Sequence, residues 1–395
     1  MRNELERSLL RARYEVPFYI NYFRNIKKQN LKLSDFPIVT KKEYANNYDL
    51  FCSNKYRTIN FNVFPTSGST GIPLEILKTT KEELLQNIVM WKFRYKHFGI
   101  TTSMKSIVFH FDTDNIEKNN IIIENNELSI NIYALNKDFI KNNHQIIEDF
   151  NPQYIRGIPS AICDFILIYK ELKYPMLKIK YVESSGEYLF DYQRKLIKDA
   201  FKCSISNQYG CTEIWGIAQE CEFGHMHILE GNVKLEIEKN KENNFGEIII
   251  TGLNSYYTSF VRYKTGDIGK LENTKCKCGE KGQELTVIGG RVVDYILLEN
   301  GKKEHPIIFY KIIREISLNQ NQILKFKVIQ NTTNNFIVYV TLKNASQKNK
   351  NEFIDLFDKL IKKSILRNSC FNFIFLSFND YPVLRKKHSY FEKLL

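Results

Sequence analysis

The chain has 395 residues, of which 43% are hydrophobic and 26% are charged. This composition excludes an intrinsically disordered chain, and the length excludes a small scaffold held together by disulfides. Lys and Arg outnumber Asp and Glu by 57 to 44. Because the basic residues are spread along the whole chain, a solvated basic surface explains this excess better than a nucleic-acid partner does.

The sequence shows no feature of a membrane or secreted protein. No uncharged apolar run approaches the roughly 18 residues that a membrane-spanning helix needs. The N-terminal sequence is amphipathic and charged, without the apolar region of a secretory signal. Of the eight cysteines, only Cys276 and Cys278 lie close together, which is typical of reduced thiols with one local site. We therefore expect a cytoplasmic protein without membrane insertion.

The first 60 residues predict helices that pack on the main domain, because Leu5, Leu9 and Tyr14 recur at helical spacing around a break at Pro17. From residue 62, short apolar runs alternate with amphipathic segments. The predicted order is helix 81–95, strand 106–111, helix 137–149, strand 153–155, helix 160–172, strand 179–183, helix 191–201 and strand 204–208. Strands separated by helices indicate βαβ units, a mainly parallel sheet and thus an α/β fold.

After residue 210 the sequence is richer in β-type runs, with predicted strands at 234–237, 246–251, 285–288 and 294–298. The last hundred residues predict a smaller α/β unit with helix 306–316, strands 324–330 and 336–342, helix 352–365 and strand 371–378. Glycines between 289 and 301 punctuate the chain before this unit. The predicted parts are therefore a helical N-terminal segment, a core domain and a C-terminal domain, at residues 1–60, 61–290 and 291–395.

A loop rich in glycine and hydroxyl side chains lies between two β-type runs, and it reads Pro65-Thr66-Ser67-Gly68-Ser69-Thr70-Gly71-Ile72-Pro73. Glycines let backbone N–H groups approach a phosphate, and the hydroxyl groups add further donors. The loop lacks the ending of a Walker A loop. An ordinary turn is the alternative interpretation.

Three further segments combine glycine with aromatic, hydroxyl or charged residues, and they are Tyr209-Gly210-Cys211-Thr212-Glu213, Tyr263-Lys264-Thr265-Gly266-Asp267 and Gly289-Gly290-Arg291-Val292-Val293-Asp294. A tyrosine face can stack on a base, and a carboxylate can hold Mg²⁺ together with phosphate oxygens. An aspartate after a tight glycine turn can accept from both ribose hydroxyls, and an arginine can reach ribose or phosphate.

In this order, the four segments and Ser185-Gly186-Glu187 resemble the core motifs of the adenylate-forming superfamily of acyl-CoA synthetases. They are most similar to those of the phenylacetate-CoA ligase family, including its members associated with capsular polysaccharide biosynthesis. The resemblance spans about residues 60 to 395. It implies a large α/β adenylate-forming domain with parallel-rich sheets and a small α/β lid domain that rotates about a hinge.

The resemblance also implies a role for each motif residue. The β- and γ-phosphates of ATP would be held by Thr66, Ser67, Gly68, Ser69, Thr70 and Gly71. The adenine would lie beside Gly186, Glu187, Tyr209 and Gly210. The remaining roles would be the α-phosphate for Thr212, Mg²⁺ for Glu213, the ribose for Asp267, and the ribose or a phosphate for Arg291.

Family members carry a catalytic lysine near the C-terminus, close to a proline and usually after a glycine. The chain has Pro382 followed by basic residues in this place, without the glycine. We assign the role to Lys387, with Lys386 as the alternative and a solvated basic tail as the other interpretation. The hinge position, often Asp or Lys in relatives, is Val293 here, which bears on the rotation of the lid.

A second group of residues predicts a metal site. Cys221, His227, Cys276 and Cys278 offer three thiolates and one imidazole, which can close a tetrahedral, structural Zn²⁺ site. His225 is the rival imidazole. Some relatives have a similar set of cysteines and histidine. Unligated cysteines are the alternative, because the spacing is not that of a standard zinc finger.

The expected activity is ATP-dependent conversion of a carboxylic acid to an acyl-adenylate with release of pyrophosphate, followed by transfer to CoA or a carrier thiol. The alternatives are an adenylyltransferase or amide-forming ligase that does not use CoA, and a catalytically silent nucleotide-binding relative. Relatives often dimerise, so a homodimer is an alternative to a monomer. The residues that can line an acyl pocket, or equally belong to the ordinary core, are His110, Phe111, Tyr133, Ile214 and Trp215.

Overall fold

The structure is a computed structural model, and it describes residues 2–28, 30–56, 60–66, 74–110, 120–239, 245–291, 295–320, 322–377 and 390–394. Its helices are α1 (Arg2–Glu15), α2 (Pro17–Tyr22), α3 (Lys41–Asn46), α4 (Tyr48–Phe51), α5 (Thr80–Phe98), α6 (Lys137–Phe150), α7 (Pro159–Glu171), α8 (Asp191–Phe201), α9 (Ile307–Gln320) and α10 (Gln347–Ile361). Its strands are β1 (Phe61–Pro65), β2 (Glu75–Thr79), β3 (Ser106–His110), β4 (Ile121–Glu124), β5 (Glu127–Asn131), β6 (Tyr154–Gly157), β7 (Tyr181–Ser185), β8 (Ser204–Tyr209), β9 (Ala218–Glu220), β10 (Met226–Ile228), β11 (Val233–Lys239), β12 (Gly246–Gly252), β13 (Tyr263–Asn273), β14 (Gln283–Arg291), β15 (Ile296–Leu297), β16 (Lys303–Glu304), β17 (Ile323–Gln330), β18 (Asn335–Leu342), β19 (Cys370–Phe375) and β20 (Phe391–Lys393).

The chain divides into two compact units, each built from two separate stretches of sequence. The first unit comprises residues 1–104 and 206–287, and the second comprises residues 105–205 and 288–395. The α/β fold class is confirmed, with helices packed on sheets in both units.

The first unit contains a sheet in which β11, β12, β13, β14, β10 and β9 are neighbours in that order. β11 pairs with β12, β12 with β13, β14 with β10 and β10 with β9, each time antiparallel. β1 and β2 form a separate antiparallel hairpin. This antiparallel construction brings the segment after β8 and the segment that begins β13 into one unit.

The N-terminal helices belong to the core of the first unit. Tyr19 on α2 donates a hydrogen bond to the Val261 carbonyl at 3.1 Å, and Ser8 on α1 donates to the Gly252 carbonyl at 2.8 Å. Tyr44 on α3 is fully buried among aromatic rings. These contacts place α1, α2 and α3 in the core of the first unit, and the separate N-terminal segment at residues 1–60 remains a prediction.

The second unit contains the parallel sheet that the βαβ pattern predicts. β7, β6, β3 and β5 are parallel neighbours, and β4 joins β5 in an antiparallel edge pair. The amphipathic helices α6 and α8 and the largely buried α7 supply apolar side chains to its core. The periodicity of residues 106–208 thus predicts the type and the order of β3, β6, β7 and the three helices, but not β4 and β5.

The C-terminal stretch of the second unit forms a four-stranded sheet in the order β19, β18, β17 and β20, with α9 and α10. Its core also contains Phe190 and Tyr192, at the start of α8. An ion pair of 2.8 Å joins Arg314 on α9 to Asp191. The division into a core domain and a mobile lid at residue 291 remains a prediction.

Several elements differ from the sequence-based predictions. β4 and β5 form an unpredicted hairpin, and its turn places Asn125 in the left-handed region at φ 51°. β13 was not predicted as a strand, because Gly266 and Gly269 interrupt its apolar alternation. α10 begins five residues before the predicted start at 352, since the Ser346 side chain caps its first turn. Within the described ranges, no helix has the length and apolar character to cross a membrane.

Candidate active site

The loop after β8 is held in a tight turn that requires glycine. A Cβ atom on Gly210 would lie 2.0 Å from the Trp215 carbonyl oxygen, a distance that no side chain tolerates. The Cys211 amide donates to the Ile214 carbonyl at 3.1 Å, and the Ile217 amide donates to the Tyr209 carbonyl at 3.0 Å. The turn therefore fixes the backbone that carries Thr212 and Glu213 directly after the strand.

Glu213 is buried and is hydrogen-bonded to Tyr263, the first residue of the segment 263–267. Its side chain is 6% exposed, and its Oε1 accepts a hydrogen bond of 2.7 Å from the Tyr263 hydroxyl. Tyr263 is the first residue of β13 and is itself buried. A buried carboxylate is costly unless it is hydrogen-bonded, so this contact stabilises Glu213 and fixes its orientation.

The tyrosine that begins the segment 209–213 contacts the aspartate that ends the segment 263–267. Tyr209 donates from its hydroxyl to Asp267 Oδ2 at 2.9 Å and lies 3.4 Å from Thr265 Oγ1. Burial, and next the Asp267 carboxylate, raise the pKa of Tyr209, so its hydroxyl stays protonated and acts as the donor. Gly266 adopts φ +80°, which lets the Asp267 amide donate back to Thr265 Oγ1 at 3.1 Å. The structure therefore brings two separately predicted motifs together.

The two ends of the predicted phosphate loop are joined by the β1–β2 hairpin. The Thr66 amide donates to the Leu74 carbonyl, and Thr66 Oγ1 accepts from the Leu74 amide, both at 2.7 Å. Lys41 on α3 donates to Thr66 Oγ1 at 3.3 Å. Lys41 is a cation at the mouth of the loop that the sequence reasoning missed, because its segment has no motif. Five of the predicted phosphate-binding residues lie outside the described residues, namely Ser67, Gly68, Ser69, Thr70 and Gly71.

The remaining predicted nucleotide residues belong to other parts of the chain. Gly186, at φ +82°, follows β7 in the second unit. Glu187 accepts a hydrogen bond of 3.3 Å from the Ser160 amide and so caps the first turn of α7. Arg291 is the last residue of β14, and nothing further is described of its side chain. The predicted catalytic lysine, Lys387, its alternative Lys386 and the hinge residue Val293 lie outside the described residues.

The four predicted metal ligands come together in the first unit. One ligand atom from each of Cys221, His227, Cys276 and Cys278 lies within 4.8 Å of the other three. The Cys221 and Cys276 sulfur atoms are 3.6 Å apart, and Cys278 Sγ is 3.2 Å from His227 Nε2. Two ligands on a tetrahedral zinc ion are separated by about 3.7 Å for sulfur atoms and less when one is nitrogen. The donor set and its spacing therefore fit zinc.

Local backbone structure explains why these ligands converge. Cys221 and His227 flank the turn between β9 and β10, and Gly279, at φ +82°, closes the knuckle that holds Cys276 and Cys278. Burial lowers the pKa of His227, which favours the neutral ring that binds a metal. The rival imidazole, His225, is directed to Glu284, with Nδ1 3.0 Å from Oε2.

A further histidine, missed from the sequence, connects the two halves of this cluster. The His97 ring on α5 is 1% exposed and contacts Glu222 through Nδ1 at 2.7 Å and Glu280 through Nε2 at 3.0 Å. Glu222 follows Cys221, and Glu280 lies two residues after Cys278. The apolar residues Met90 and Phe93 on α5 pack against the same cysteines. α5 therefore forms one wall of the cluster.

Comparisons with known proteins agree with the motifs. No family model matches the chain. Protein CapK of Staphylococcus aureus is 25% identical over 350 residues, which cover 83% of this chain and 75% of CapK. Phenylacetate-coenzyme A ligase of Thermus thermophilus is 26% identical over 165 residues, which cover 39% of this chain and 37% of that enzyme.

The similar solved structures include several ligases. 2-Hydroxyisobutyryl-CoA ligase in its postadenylation state, in complex with R3-HIB-AMP, gives a TM-score of 0.78 at 14% identity and covers 98% of this chain and 88% of its own. The same ligase with 2-HIB-AMP and CoA in the thioesterification state gives a TM-score of 0.61 at 15% identity. This match covers 99% of this chain and 89% of the ligase. The anthranilate CoA ligase AuaEII in complex with anthranoyl-AMP gives a TM-score of 0.57 at 14% identity. This match covers 83% of this chain and 64% of AuaEII.

The chain is similar in sequence to CapK and to a phenylacetate-coenzyme A ligase, and its fold is that of adenylate-forming ligases. This confirms the resemblance inferred from the ordered motifs, including its phenylacetate-CoA ligase-like character. The fold is that of ligases that bind acyl-AMP, and one relative is a phenylacetate-coenzyme A ligase. The geometry adds that the segments after β8 and at the start of β13 are joined by two hydrogen bonds, one from Tyr263 to Glu213 and one from Tyr209 to Asp267.

We predict that Tyr263→Phe raises the Mg²⁺ concentration needed for half of the ATP-induced rise in Tm by about 10-fold. The variant removes the donor that orients Glu213, and a hydrogen bond to a charged group contributes about 1.5–3 kcal/mol. A Mg²⁺ titration of the thermal shift at fixed ATP measures this effect. The control is Tyr169→Phe, because the buried Tyr169 hydroxyl has no hydrogen-bond partner among the residues described. Equal Mg²⁺ dependence in the two variants would contradict the role given to Tyr263.

We also predict that replacing both Cys276 and Cys278 by Ser removes bound zinc and lowers Tm. Closing a tetrahedral site couples metal binding to folding, so loss of two thiolates removes both. Elemental analysis and thermal unfolding of the purified protein measure the two effects. Cys370→Ser is the control, because Cys370 is exposed and outside the cluster. Zinc content at the level of the unaltered protein would rule out the site.

Proposed function

We propose that this protein activates a carboxylic acid with ATP, forming an acyl-adenylate and pyrophosphate, and then transfers the acyl group to CoA or another thiol. The observation that carries the proposal is the pair of hydrogen bonds that joins Glu213 to Tyr263 and Tyr209 to Asp267. These contacts assemble the residues expected for Mg²⁺, adenine and ribose within one unit. The similarity to phenylacetate-coenzyme A ligase and the acyl-AMP bound in ligases of similar fold support the same reaction.

The first half-reaction forms one bond and breaks another at the α-phosphorus. A carboxylate oxygen attacks this phosphorus, and the bond to the β-phosphate oxygen breaks, which releases pyrophosphate with its electron pair. Glu213 would hold Mg²⁺, which supplies positive charge to the phosphate oxygens. Thr212 would donate to the α-phosphate, and Asp267 would accept from the ribose hydroxyls. The buried partner of Glu213 keeps this carboxylate oriented before ATP arrives.

The phosphate loop and the catalytic lysine complete this proposal. The residues from Thr66 to Gly71 would bind the β- and γ-phosphates, and Lys41 adds an ammonium at the loop mouth, 3.3 Å from Thr66 Oγ1. Lys387 would neutralise charge between the attacking carboxylate and the α-phosphate, as electrostatic preorganisation requires. Arg291 would reach ribose or phosphate, and Glu187 and Gly186 would lie beside adenine.

A structural neighbour suggests the second half-reaction of this proposal. 2-Hydroxyisobutyryl-CoA ligase has been solved with 2-HIB-AMP and CoA in its thioesterification state. In the corresponding step, a thiolate would attack the acyl carbonyl, and AMP would leave with the electron pair of the bond to the acyl carbon. Rotation of residues 291–395 as a lid would admit the thiol. The proposal also includes a structural Zn²⁺ at the cysteine cluster, a cytoplasmic location, a homodimer and a link to capsular polysaccharide.

We predict acid-dependent ATP–pyrophosphate exchange with at least one acid from pools of aryl, arylacetic, aliphatic and sugar-derived acids. Glu213→Gln and Lys387→Ala should each lower the exchange rate by at least about 100-fold, since each removes a charge that acts in the transition state. Exchange tests adenylation before the acceptor is known. Lys386→Ala is the matched control for the lysine register and should retain exchange.

The outcomes separate the alternatives. Loss of exchange in Lys386→Ala with retention in Lys387→Ala would move the catalytic role to Lys386. Exchange without thioester formation from CoA would favour the adenylyltransferase or amide-forming alternative. ATP binding, seen as a rise in Tm, without exchange for any acid would contradict adenylation and favour a nucleotide-binding relative.

A further inference from the structure

Lys78 is a charged residue at a core position that the proposed mechanism does not use. It lies on β2, where Ile76 and Lys78 alternate onto the same face of the strand. Ile76 is fully buried, and Lys78 is only 2% exposed. Lysine is almost never this buried unless it is paired with an opposite charge, so its position requires an explanation.

The described surroundings of the Lys78 ammonium leave it incompletely paired. Its Nζ donates to Gln86 Oε1 at 2.9 Å, and it lies 4.4 Å from the centre of the Trp215 ring. No carboxylate of the described residues lies within 4.0 Å of it. Glu82, a buried acid four residues after Lys78, is instead hydrogen-bonded to Thr79 and to the amides of Tyr256 and Tyr257. An ammonium has three N–H donors, and the hydrogen bond to Gln86 uses one of them.

Burial lowers the pKa of Lys78 to about 8, with weaker opposing effects from Cys211, Glu82 and Glu213. Near pH 7 the group is therefore largely protonated, and it carries a charge whose desolvation is not compensated by a direct ion pair. Binding of an anion next to the ammonium would provide that compensation. Such a site gains affinity from the same burial that destabilises the unliganded protein.

The contacts of Lys78 connect it to the loop that carries Thr212 and Glu213. Gln86 Oε1 accepts from both Lys78 Nζ and the Trp215 amide, the latter at 3.3 Å. Trp215 lies two residues after Glu213 and is one of the residues predicted for the acyl pocket. Its indole stands edge-on to Phe64, with ring centres 5.0 Å apart. An aromatic wall beside a buried ammonium is suited to an organic anion.

We propose that Lys78 recognises a second anionic group on the carboxylic acid, so that the substrate of this protein is a dicarboxylic acid or a similar doubly anionic acid. The inference rests on the proposed adenylation activity. One carboxylate of the substrate would be adenylated, while the other would be bound by Lys78 beside Trp215. A monocarboxylic acid would leave the buried ammonium without its partner and would be selected against.

The test uses ATP–pyrophosphate exchange with aliphatic and aromatic dicarboxylic acids, each paired with its own monomethyl ester. The unaltered protein should have a kcat/KM for at least one diacid that is 10-fold or more above that of its monoester. Lys78→Met should reduce this ratio by at least about 10-fold, since loss of a charge-assisted hydrogen bond of about 1.4 kcal/mol corresponds to that factor. The Tm of Lys78→Met should equal or exceed that of the unaltered protein, because Met fills the same space without a buried charge.

Lys327→Met is the matched control. Lys327 is another buried lysine, 3% exposed in its side chain, and it pairs with Glu392 in the second unit. Its replacement should leave the ratio between diacid and monoester unchanged.

Four results would overturn the inference. An equal ratio in Lys78→Met and the unaltered protein would show that Lys78 does not read the second anionic group. A rise in KM for ATP with every acid alike would assign Lys78 to the nucleotide phosphates instead. Absence of exchange with every monoanionic and dianionic acid would contradict both the proposed function and this inference. Exchange limited to monocarboxylic acids would contradict the inference alone.

Discussion

The hydrogen bond from Tyr263 to Glu213 is the contact on which the proposed site depends. Glu213 is a buried acid on a turn, and a turn alone does not fix a side chain. The Tyr263 hydroxyl, 2.7 Å from the carboxylate, supplies the polar partner that burial demands. Since Tyr263 begins the strand that also carries Asp267, one contact sets the relation between the proposed Mg²⁺ and ribose residues.

The cysteine cluster joins the same two stretches of chain a second time. Cys221 and His227 come from the hairpin that follows the Glu213 turn, and Cys276 and Cys278 follow the strand that carries Asp267. A metal there would hold the two stretches together outside the proposed reaction site. His97 connects the same pieces through Glu222 and Glu280. The site is therefore positioned from both sides by short-range polar contacts rather than by the apolar core alone.

The sequence was sufficient to predict the residues whose chemistry depends on local order. Glu213, Asp267 and the Cys-x-Cys knuckle are recognisable because their neighbours in the chain, glycines above all, are needed for the turn or the close approach. Within residues 106–208, the helices α6, α7 and α8 and the strands β3, β6, β7 and β8 were predicted correctly, since apolar residues follow the period of each element. β4 and β5 were missed, although Asn125 and Asn126 separate the apolar run of β4 from β5 and asparagine is common in tight turns.

Residues that act through distant partners could not be predicted in this way. Lys41, Lys78 and His97 appear as ordinary polar positions in the sequence, and their roles arise from contacts to residues 25, 137 and 183 positions away. These contacts join α3 to the end of β1, β2 to the turn after β8, and α5 to the cysteine cluster. A buried lysine is visible only once the alternation of β2 is placed against a core.

Adenylation is tested most directly by measuring whether one oxygen atom of the acid is transferred to AMP. With an acid labelled by ¹⁸O in both carboxylate oxygens, attack on the α-phosphorus leaves one labelled oxygen bridging acyl group and phosphate. Cleavage at the acyl carbon by a thiol then gives AMP that contains one ¹⁸O atom, which mass spectrometry detects. Unlabelled AMP, or labelled acid consumed with formation of ADP, would contradict the account.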